Sequence, residues 1–100
     1  MKNNINPSVC TEYDEETDGY DVEIQLPGVH KEDIDFKVLP GGFMIRAPRS
    51  DNPDIEYNGS YSFCCPIDDE NVEAKFDNGL LTAHFRLREP YEKANKVDIE

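Results

Sequence analysis

The dipeptide Asn78-Gly79 constrains the fold more than any other feature, because it separates two runs in which apolar and polar residues alternate. The apolar positions of these runs are Val72, Ala74 and Phe76 before it, and Leu81, Ala83, Phe85 and Leu87 after it. A two-residue type I′ turn requires φ > 0 at both central residues, and Asn-Gly meets this requirement at the lowest steric cost. The segment therefore predicts a tight β-hairpin with one buried face.

The same two-residue period continues along most of the chain, and no long window shows the period of a helix. Asp18-Gly19 and Pro40-Gly41-Gly42 are typical of further tight turns. The predicted strands are Val9–Glu15, Tyr20–Leu26, Ile34–Leu39, Phe43–Ala47, Ser60–Cys65, Val72–Phe76 and Leu80–Leu87. Short, regularly spaced strands favour an all-β fold, an immunoglobulin-like antiparallel β-sandwich of about seven to eight strands.

Alternation also predicts which side chains point into the sandwich. The inward sets are Val22, Ile24 and Leu26; Ile34, Phe36 and Val38; Phe43 and Ile45; and Tyr61, Phe63 and Cys65. By contrast, the segment Pro48–Asn58 is polar and contains two prolines, so we expect it to lie outside the core as a loop.

Composition restricts the functions that the chain can have. With 22 acidic and 10 basic residues, its formal charge of −12 disfavours nucleic acid and anionic membranes, whose phosphates need clusters of Lys and Arg. A chain of 100 residues fits one small domain. It has no stretch of about 20 apolar residues that would span a membrane and no apolar block of a secretory signal, so we expect a cytoplasmic protein.

The residues that carry most enzyme and metal chemistry are few. The three cysteines, Cys10, Cys64 and Cys65, show no C-x-x-C spacing, and His30 and His84 are predicted to be surface residues. On a strand, Cys64 and Cys65 point to opposite faces, which places Cys65 in the core and Cys64 at the surface. We therefore expect no enzymatic activity, no metal and no cofactor; whether Cys64 has a redox role is left open.

Four motifs, in order, resemble the α-crystallin domain of small heat-shock proteins. Ala74, Asn78, Gly79 and Leu81 match the signature A-x-x-x-N-G-x-L. The others are Leu26-Pro27-Gly28 with Lys31–Ile34, which resembles L-P-G-x-x-K-E-D-I; Gly42–Arg46, which resembles G-x-L-x-I-R; and Tyr61–Pro66, which stands where the family has R-S-F-R-L-P. The resemblance runs from Val9 to Leu87 and implies a sandwich of the α-crystallin type.

The resemblance also implies a function and a domain organisation. Small heat-shock proteins are ATP-independent holdases that bind unfolded or partly unfolded client proteins and prevent their aggregation. Residues 1–8 would be a short N-terminal arm, 9–88 the α-crystallin-like domain and 89–100 a C-terminal tail. The segment 48–58 is shorter than the family loop whose extra strand swaps into a partner, so the dimer geometry is left open. A dimer is the expected unit, and the tail can join dimers into larger oligomers.

The end of the tail resembles the family's docking motif I-x-I/V. In an extended segment Val97 and Ile99 point the same way, and between them stands Asp98. The resemblance implies that this pair binds a groove between two edge strands of a neighbouring subunit. The groove residues would be Ile34, Phe36, Val38, Val72, Ala74 and Phe76.

Two other functions are compatible with a sandwich of this size. One is a CS-domain-like co-chaperone, an adaptor that contacts a larger chaperone or ATPase; the short loop and the short arm favour it. The other is a β-sandwich recognition module with an unrelated ligand. The three motifs around Asn78-Gly79, Leu26-Pro27-Gly28 and Val97-x-Ile99 favour the small heat-shock protein.

Overall fold

Two four-stranded sheets pack face to face in the computed structural model, which describes residues 3–88 and 95–100. The strands are β1 (Asn3–Ile5), β2 (Ser8–Asp14), β3 (Gly19–Gln25), β4 (Asp35–Leu39), β5 (Gly42–Pro48), β6 (Ile55–Ser62), β7 (Glu73–Asp77) and β8 (Leu80–Arg86). One sheet has the order β1-β6-β5-β4 and the other has the order β2-β3-β8-β7. All neighbours are antiparallel except β1 and β6. The predicted all-β sandwich is therefore confirmed.

Six of the seven predicted strands agree with β2, β3, β4, β5, β7 and β8 to within one residue at each end. Within the described part of the chain, the one helical segment is a 3₁₀ turn, Lys31–Asp33, just before β4. No helix in those ranges has the length and apolar character needed to cross a bilayer.

The turn between β7 and β8 has the predicted conformation, with φ of 49° at Asn78 and 79° at Gly79. It also contacts the turn after β3, because the Leu26 N–H donates to the Gly79 carbonyl at 2.7 Å. A Cβ atom on Gly79 would lie 3.3 Å from the Pro27 Cα, closer than ordinary packing allows. Position 79 therefore requires glycine both for its backbone conformation and for its close neighbour.

We expect Gly79→Ala to lower the free energy of unfolding by about 1–2 kcal/mol, the cost of a left-handed conformation for an L-residue. Gly41→Ala is the matched control: Gly41 has no positive φ, and a Cβ there meets no atom within 4 Å. Urea unfolding of both variants measures the difference. Equal loss of stability at the two positions would contradict the prediction.

The core lies between the two sheets and is centred on aromatic rings. Phe43 on β5 and Phe85 on β8 are buried, and their ring centroids lie 5.7 Å apart in a stacked arrangement that joins the sheets. Val22, Ile24 and Leu26 are buried as predicted, while Tyr61 and Phe63 are partly buried against the core. The predicted inward direction of these side chains is therefore confirmed.

The prediction for the segment before Ser60 is wrong. The strand begins at Ile55 and ends at Ser62, so the predicted loop Pro48–Asn58 shrinks to a connection over residues 49–54. Tyr57 belongs to the core, and its hydroxyl donates to the Pro27 carbonyl at 3.2 Å. Glu56 is buried, and its carboxylate accepts from the Arg46 guanidinium, which offsets the cost of burying the charge. Local sequence does not reveal this partner.

The predicted place of Cys65 in the core is also wrong. Because β6 ends at Ser62, the alternation does not extend to Cys64 and Cys65, and both are exposed in a bend. Their Sγ atoms lie 3.3 Å apart, so the two side chains do not point to opposite faces. Ile67 fills the core instead, fully buried and bridged to Leu87.

The predicted N-terminal arm contains a strand. Asn3–Ile5 pairs in parallel with Ile55–Tyr57 of β6, and the Asn3 N–H donates to the Asp54 carbonyl at 2.6 Å. At the other end, the segment that would tether the docking motif, residues 89–94, lies outside the described residues.

Candidate binding groove

The predicted groove residues lie on or beside two edge strands, one in each sheet. In the sheet orders, β4 has β5 as its one neighbour, and β7 has β8 as its one neighbour. The far side of each strand therefore carries N–H and C=O groups that no strand of the described sheets pairs. Such an edge can accept an additional extended segment.

Contacts between the sheets place these two strands at the same rim of the sandwich. The Phe85 ring of β8 contacts Phe43 of β5 and Phe36 of β4, with centroids 5.7 and 6.2 Å away. At the other rim, Thr11 of β2 lies 3.3 Å from the Tyr61 hydroxyl of β6, measured between their oxygens. These contacts show that β8 faces β5 and β4, and that β2 faces β6. Because β7 is the neighbour of β8 on the side away from β2, β7 lies at the same rim as β4. The two edge strands therefore lie at the same rim of the sandwich, where a groove between them is predicted.

Strand register shows that apolar side chains of β4 and β7 point to the inner face of the sandwich at this rim. Phe36 and Val38 are paired with Ile45 and Phe43, which are buried, so all four share the inner face. Ala74 and Phe76 are likewise paired with the buried residues Ala83 and Leu81. The residues predicted to line a groove at this rim are Ile34, Phe36, Val38, Val72, Ala74 and Phe76.

These inward-facing side chains are incompletely covered. Ile34, Phe36, Val38, Val72 and Phe76 are partly buried against the core, and Ala74 is exposed. Apolar surface at an open rim can be removed from water by a second chain.

Lysines mark the outward face of both edge strands. Lys37 on β4 and Lys75 on β7 are exposed, and the Lys37 ammonium lies 3.8 Å from the Asp35 carboxylate. Charged side chains on edge strands disfavour indiscriminate sheet-to-sheet pairing. The groove is thus apolar inside and charged outside.

The tail residues Val97 and Ile99 are placed in solvent. Asn95–Glu100 has no regular secondary structure, and the exposed fractions of Val97 and Ile99 are 77% and 96%. The structure places the predicted groove residues on or beside two edge strands at one rim, but Val97 and Ile99 do not pack against them.

Metal-ligating residues do not gather in the part of the chain that the structure describes, where no group of three or more His, Cys, Asp or Glu side chains could hold an ion. His84 points outward from β8 and its Nδ1 lies 2.7 Å from an Asp21 carboxylate oxygen. His30 is exposed before the 3₁₀ turn.

The structure does bring together one chemical cluster that sequence reasoning missed, formed by Tyr20, Cys64 and Cys65. The Tyr20 hydroxyl lies 3.2 Å from the Cys64 Sγ, which in turn lies 3.3 Å from the Cys65 Sγ. A hydrogen bond with Tyr20, and to a lesser extent one with Cys65, lowers the pKa of the Cys64 thiol. The same bond with Cys64 raises the pKa of Tyr20 to about 12. The adjacent cysteines in the sequence are the signal for this cluster. A strand that continued through Cys65 would place their side chains on opposite faces, so the predicted strand hides the cluster.

The chain is similar to proteins of one known family. The family model of the Hsp20/alpha crystallin family matches residues 12–100, which include both walls of the groove and the tail. The chain belongs to the Hsp20/alpha crystallin family. This membership confirms the resemblance based on the motifs and favours the small heat-shock protein over the CS-domain adaptor.

Individual relatives of this Hsp20/alpha crystallin chain agree with the assignment. It is 25% identical over 103 residues to small heat shock protein C2 of Rickettsia felis, covering 90% of this chain and 66% of that protein. It is 30% identical over 86 residues to the alpha-crystallin of Mycobacterium bovis, covering 74% of this chain and 60% of that protein. The chain thus matches less than two thirds of the length of either relative.

The fold of this family member is also found among solved structures. Heat shock protein 16.0 from Schizosaccharomyces pombe superposes with a TM-score of 0.77 at 23% identity, covering 97% of this chain and 77% of that one. At this identity the match supports the sandwich fold itself.

Proposed function

We propose that this Hsp20/alpha crystallin chain is an ATP-independent holdase that binds unfolding proteins and slows their aggregation in the cytoplasm. It acts by binding alone and catalyses no reaction. The observation that carries the proposal is the open rim between β4 and β7, where inward-facing apolar side chains lie beside unpaired strand edges.

The rim offers both kinds of contact that an unfolding protein presents. Backbone groups of β4 and β7 can pair with an extended client segment, and Phe36, Val38 and Phe76 can cover its apolar side chains. Burial of each client side chain contributes about 1.5–3 kcal/mol before ordering costs are subtracted. Binding through a few such contacts is reversible, so a held client can be released without nucleotide hydrolysis.

We further propose that the chain associates with itself, with a dimer as the unit. Residues 9–88 form the client-binding domain, residues 1–8 a short arm, and residues 89–100 a tail that joins units through Val97 and Ile99. The exposure of these two side chains supports this role, because the pair is accessible to a neighbouring groove. Tail and client then compete for the same apolar surface.

A charge placed in the groove tests the proposed binding surface. Ala74→Glu introduces a carboxylate at an exposed position of the groove, so the sandwich should fold unchanged. Covering that carboxylate with a client costs more than about 1.4 kcal/mol, which corresponds to about tenfold weaker binding. We expect loss of protection when a heat-labile protein is aggregated without ATP and followed by light scattering.

Ser60→Glu is the matched control, because Ser60 is an exposed, uncharged residue on β6, away from the groove. It changes the net charge by the same amount and should preserve protection. Equal protection by the two variants would refute the groove as the client site. Absence of protection by the unaltered chain would refute the holdase function itself.

A further inference from the structure

We propose that Cys64 and Cys65 form a two-sulfur binding site for trivalent arsenic and its monosubstituted organic derivatives. Both thiols are exposed in the bend after β6, so a reagent can reach them from solvent. Their Sγ atoms lie 3.3 Å apart, and the Tyr20 hydroxyl lies 3.2 Å from the Cys64 Sγ. The site is independent of the client groove and of the function proposed above.

The spacing of the sulfurs fits a shared ligand. At 3.3 Å the two Sγ atoms are much farther apart than the about 2.05 Å of a disulfide bond. An atom with bonds of about 2.3 Å to both sulfurs would subtend an S–X–S angle of about 90°. That angle is nearer to the pyramidal geometry of trivalent arsenic, which carries a lone pair, than to a tetrahedron.

The number of available ligands also favours arsenic over zinc. Structural zinc sites are closed by four protein ligands, usually Cys and His. Among the described residues, no group of three or more His, Cys, Asp or Glu side chains could hold such an ion. Two sulfurs are sufficient for trivalent arsenic, whose third substituent can be a hydroxyl or an organic group.

Tyr20 is a positioning residue for the first sulfur. Its ring stacks on Phe63 with centroids 5.0 Å apart and meets Tyr13 edge-on at 5.7 Å, which fixes the hydroxyl beside Cys64. Donation of the Tyr20 O–H to the Cys64 thiolate lowers the pKa of that thiol, while the bond with Cys64 raises the pKa of Cys65. Cys64 is therefore the first nucleophile, since the thiolate is the reactive form.

The reaction is two substitutions at arsenic with no change of oxidation state. The Cys64 sulfur attacks arsenous acid, an As–S bond forms, an As–O bond breaks, and the thiol proton leaves with the hydroxyl as water. The Cys65 sulfur then displaces a second hydroxyl in the same way. One As(OH)₃ and two thiols yield one dithiolate of As–OH and two molecules of water.

Phenylarsine oxide, which reacts with two thiols and releases one water, is the probe for this site. The full chain, kept reduced with a phosphine, should gain one phenylarsenic group in its intact mass and lose two titratable thiols. Cys10→Ser is the matched control, because Cys10 is an exposed thiol outside the cluster, and it should bind as the unaltered chain does. Cys64→Ser and Cys65→Ser should each lose the adduct when excess glutathione is added.

A rate measurement separates the built site from mere adjacency of two cysteines. Tyr20→Phe removes the hydroxyl but keeps the ring, so the adduct should form with the same stoichiometry but several-fold more slowly near neutral pH. Retention of the adduct by Cys64→Ser, or its absence in the unaltered chain, would overturn the proposal. An unchanged rate in Tyr20→Phe would overturn the positioning role.

Discussion

A chain in which Val97 and Ile99 are both replaced by glycine should form smaller particles in solution than the unaltered chain. Both side chains are largely exposed, so their loss should not destabilise the sandwich. If each contributes about 1.5–3 kcal/mol to docking before ordering costs, the double variant should bind a neighbouring groove at least about tenfold more weakly. Light scattering after size-exclusion chromatography measures the particle mass.

The control for this experiment replaces Lys96 and Asp98, the two residues that alternate with Val97 and Ile99, by glycine. Lys96→Gly with Asp98→Gly adds the same backbone freedom and leaves the net charge unchanged, but it keeps both apolar side chains. It should keep the particle mass of the unaltered chain. Because tail and client compete in the proposed mechanism, the Val97/Ile99 variant should also protect a client at lower chain concentration. An unchanged mass and unchanged protection would refute docking by the tail.

Phe85→Ala should lower the free energy of unfolding by about 3–5 kcal/mol, the usual cost of deleting a buried aromatic ring. Phe85 is fully buried, and its ring contacts Phe43, Phe63 and Phe36, with the Phe63 centroid 5.1 Å away. These contacts join the two sheets, so the cavity would lie where the sandwich is held together. Since small domains have only about 5–15 kcal/mol of stability, the variant should be partly unfolded at elevated temperature.

Urea unfolding followed by circular dichroism measures this loss. Met44→Ala is the control, because Met44 is a large apolar residue on β5, the strand that faces β8, but is 50% exposed. Substitutions at such surface positions usually change stability by no more than about 0.5 kcal/mol. A similar loss in the two variants would show that the aromatic cluster does not determine the stability of the sandwich.

The strands with a clear alternation could be predicted from the sequence. Six of them were placed to within one residue, because a strand with one buried face must repeat apolar residues at every second position. The β7–β8 turn was predicted down to its conformation, since Asn-Gly is strongly favoured where both residues have φ > 0.

The errors occurred where a distant partner decides the local structure. The first part of β6 contains Glu56 and Asn58 and looks like a loop, yet Arg46 on the neighbouring strand pairs with the buried Glu56. Strand β1 was missed because its partner, Ile55–Tyr57, is parallel and distant in the chain. Nothing in the alternating pattern marks the bend at Cys64, so the pattern places Cys65 in the core, whereas Ile67 occupies that place.

The family resemblance predicts the groove residues, whereas their position at one rim is seen only in the structure. Alternation alone predicts that the side chains of Phe36 and Phe76 lie on the inner faces of their sheets. It cannot show that β4 and β7 are edge strands at one rim. That follows from the contacts of Phe85 across the sandwich. Docking of a client or of Val97 and Ile99 in this groove stays a prediction for the experiments above.

The contact between Gly79 and the Leu26-Pro27 turn has a consequence for how the family motifs should be understood. The Leu26-Pro27-Gly28 motif and the Asn78-Gly79 motif lie about half a chain apart in sequence but are in contact in the fold. One backbone hydrogen bond joins them. They are therefore not independent features, and changes to them should be epistatic. In a double-mutant cycle, Gly79→Ala combined with Pro27→Gly should destabilise the protein by less than the sum of the single changes, because a more pliable turn can yield to the added methyl group.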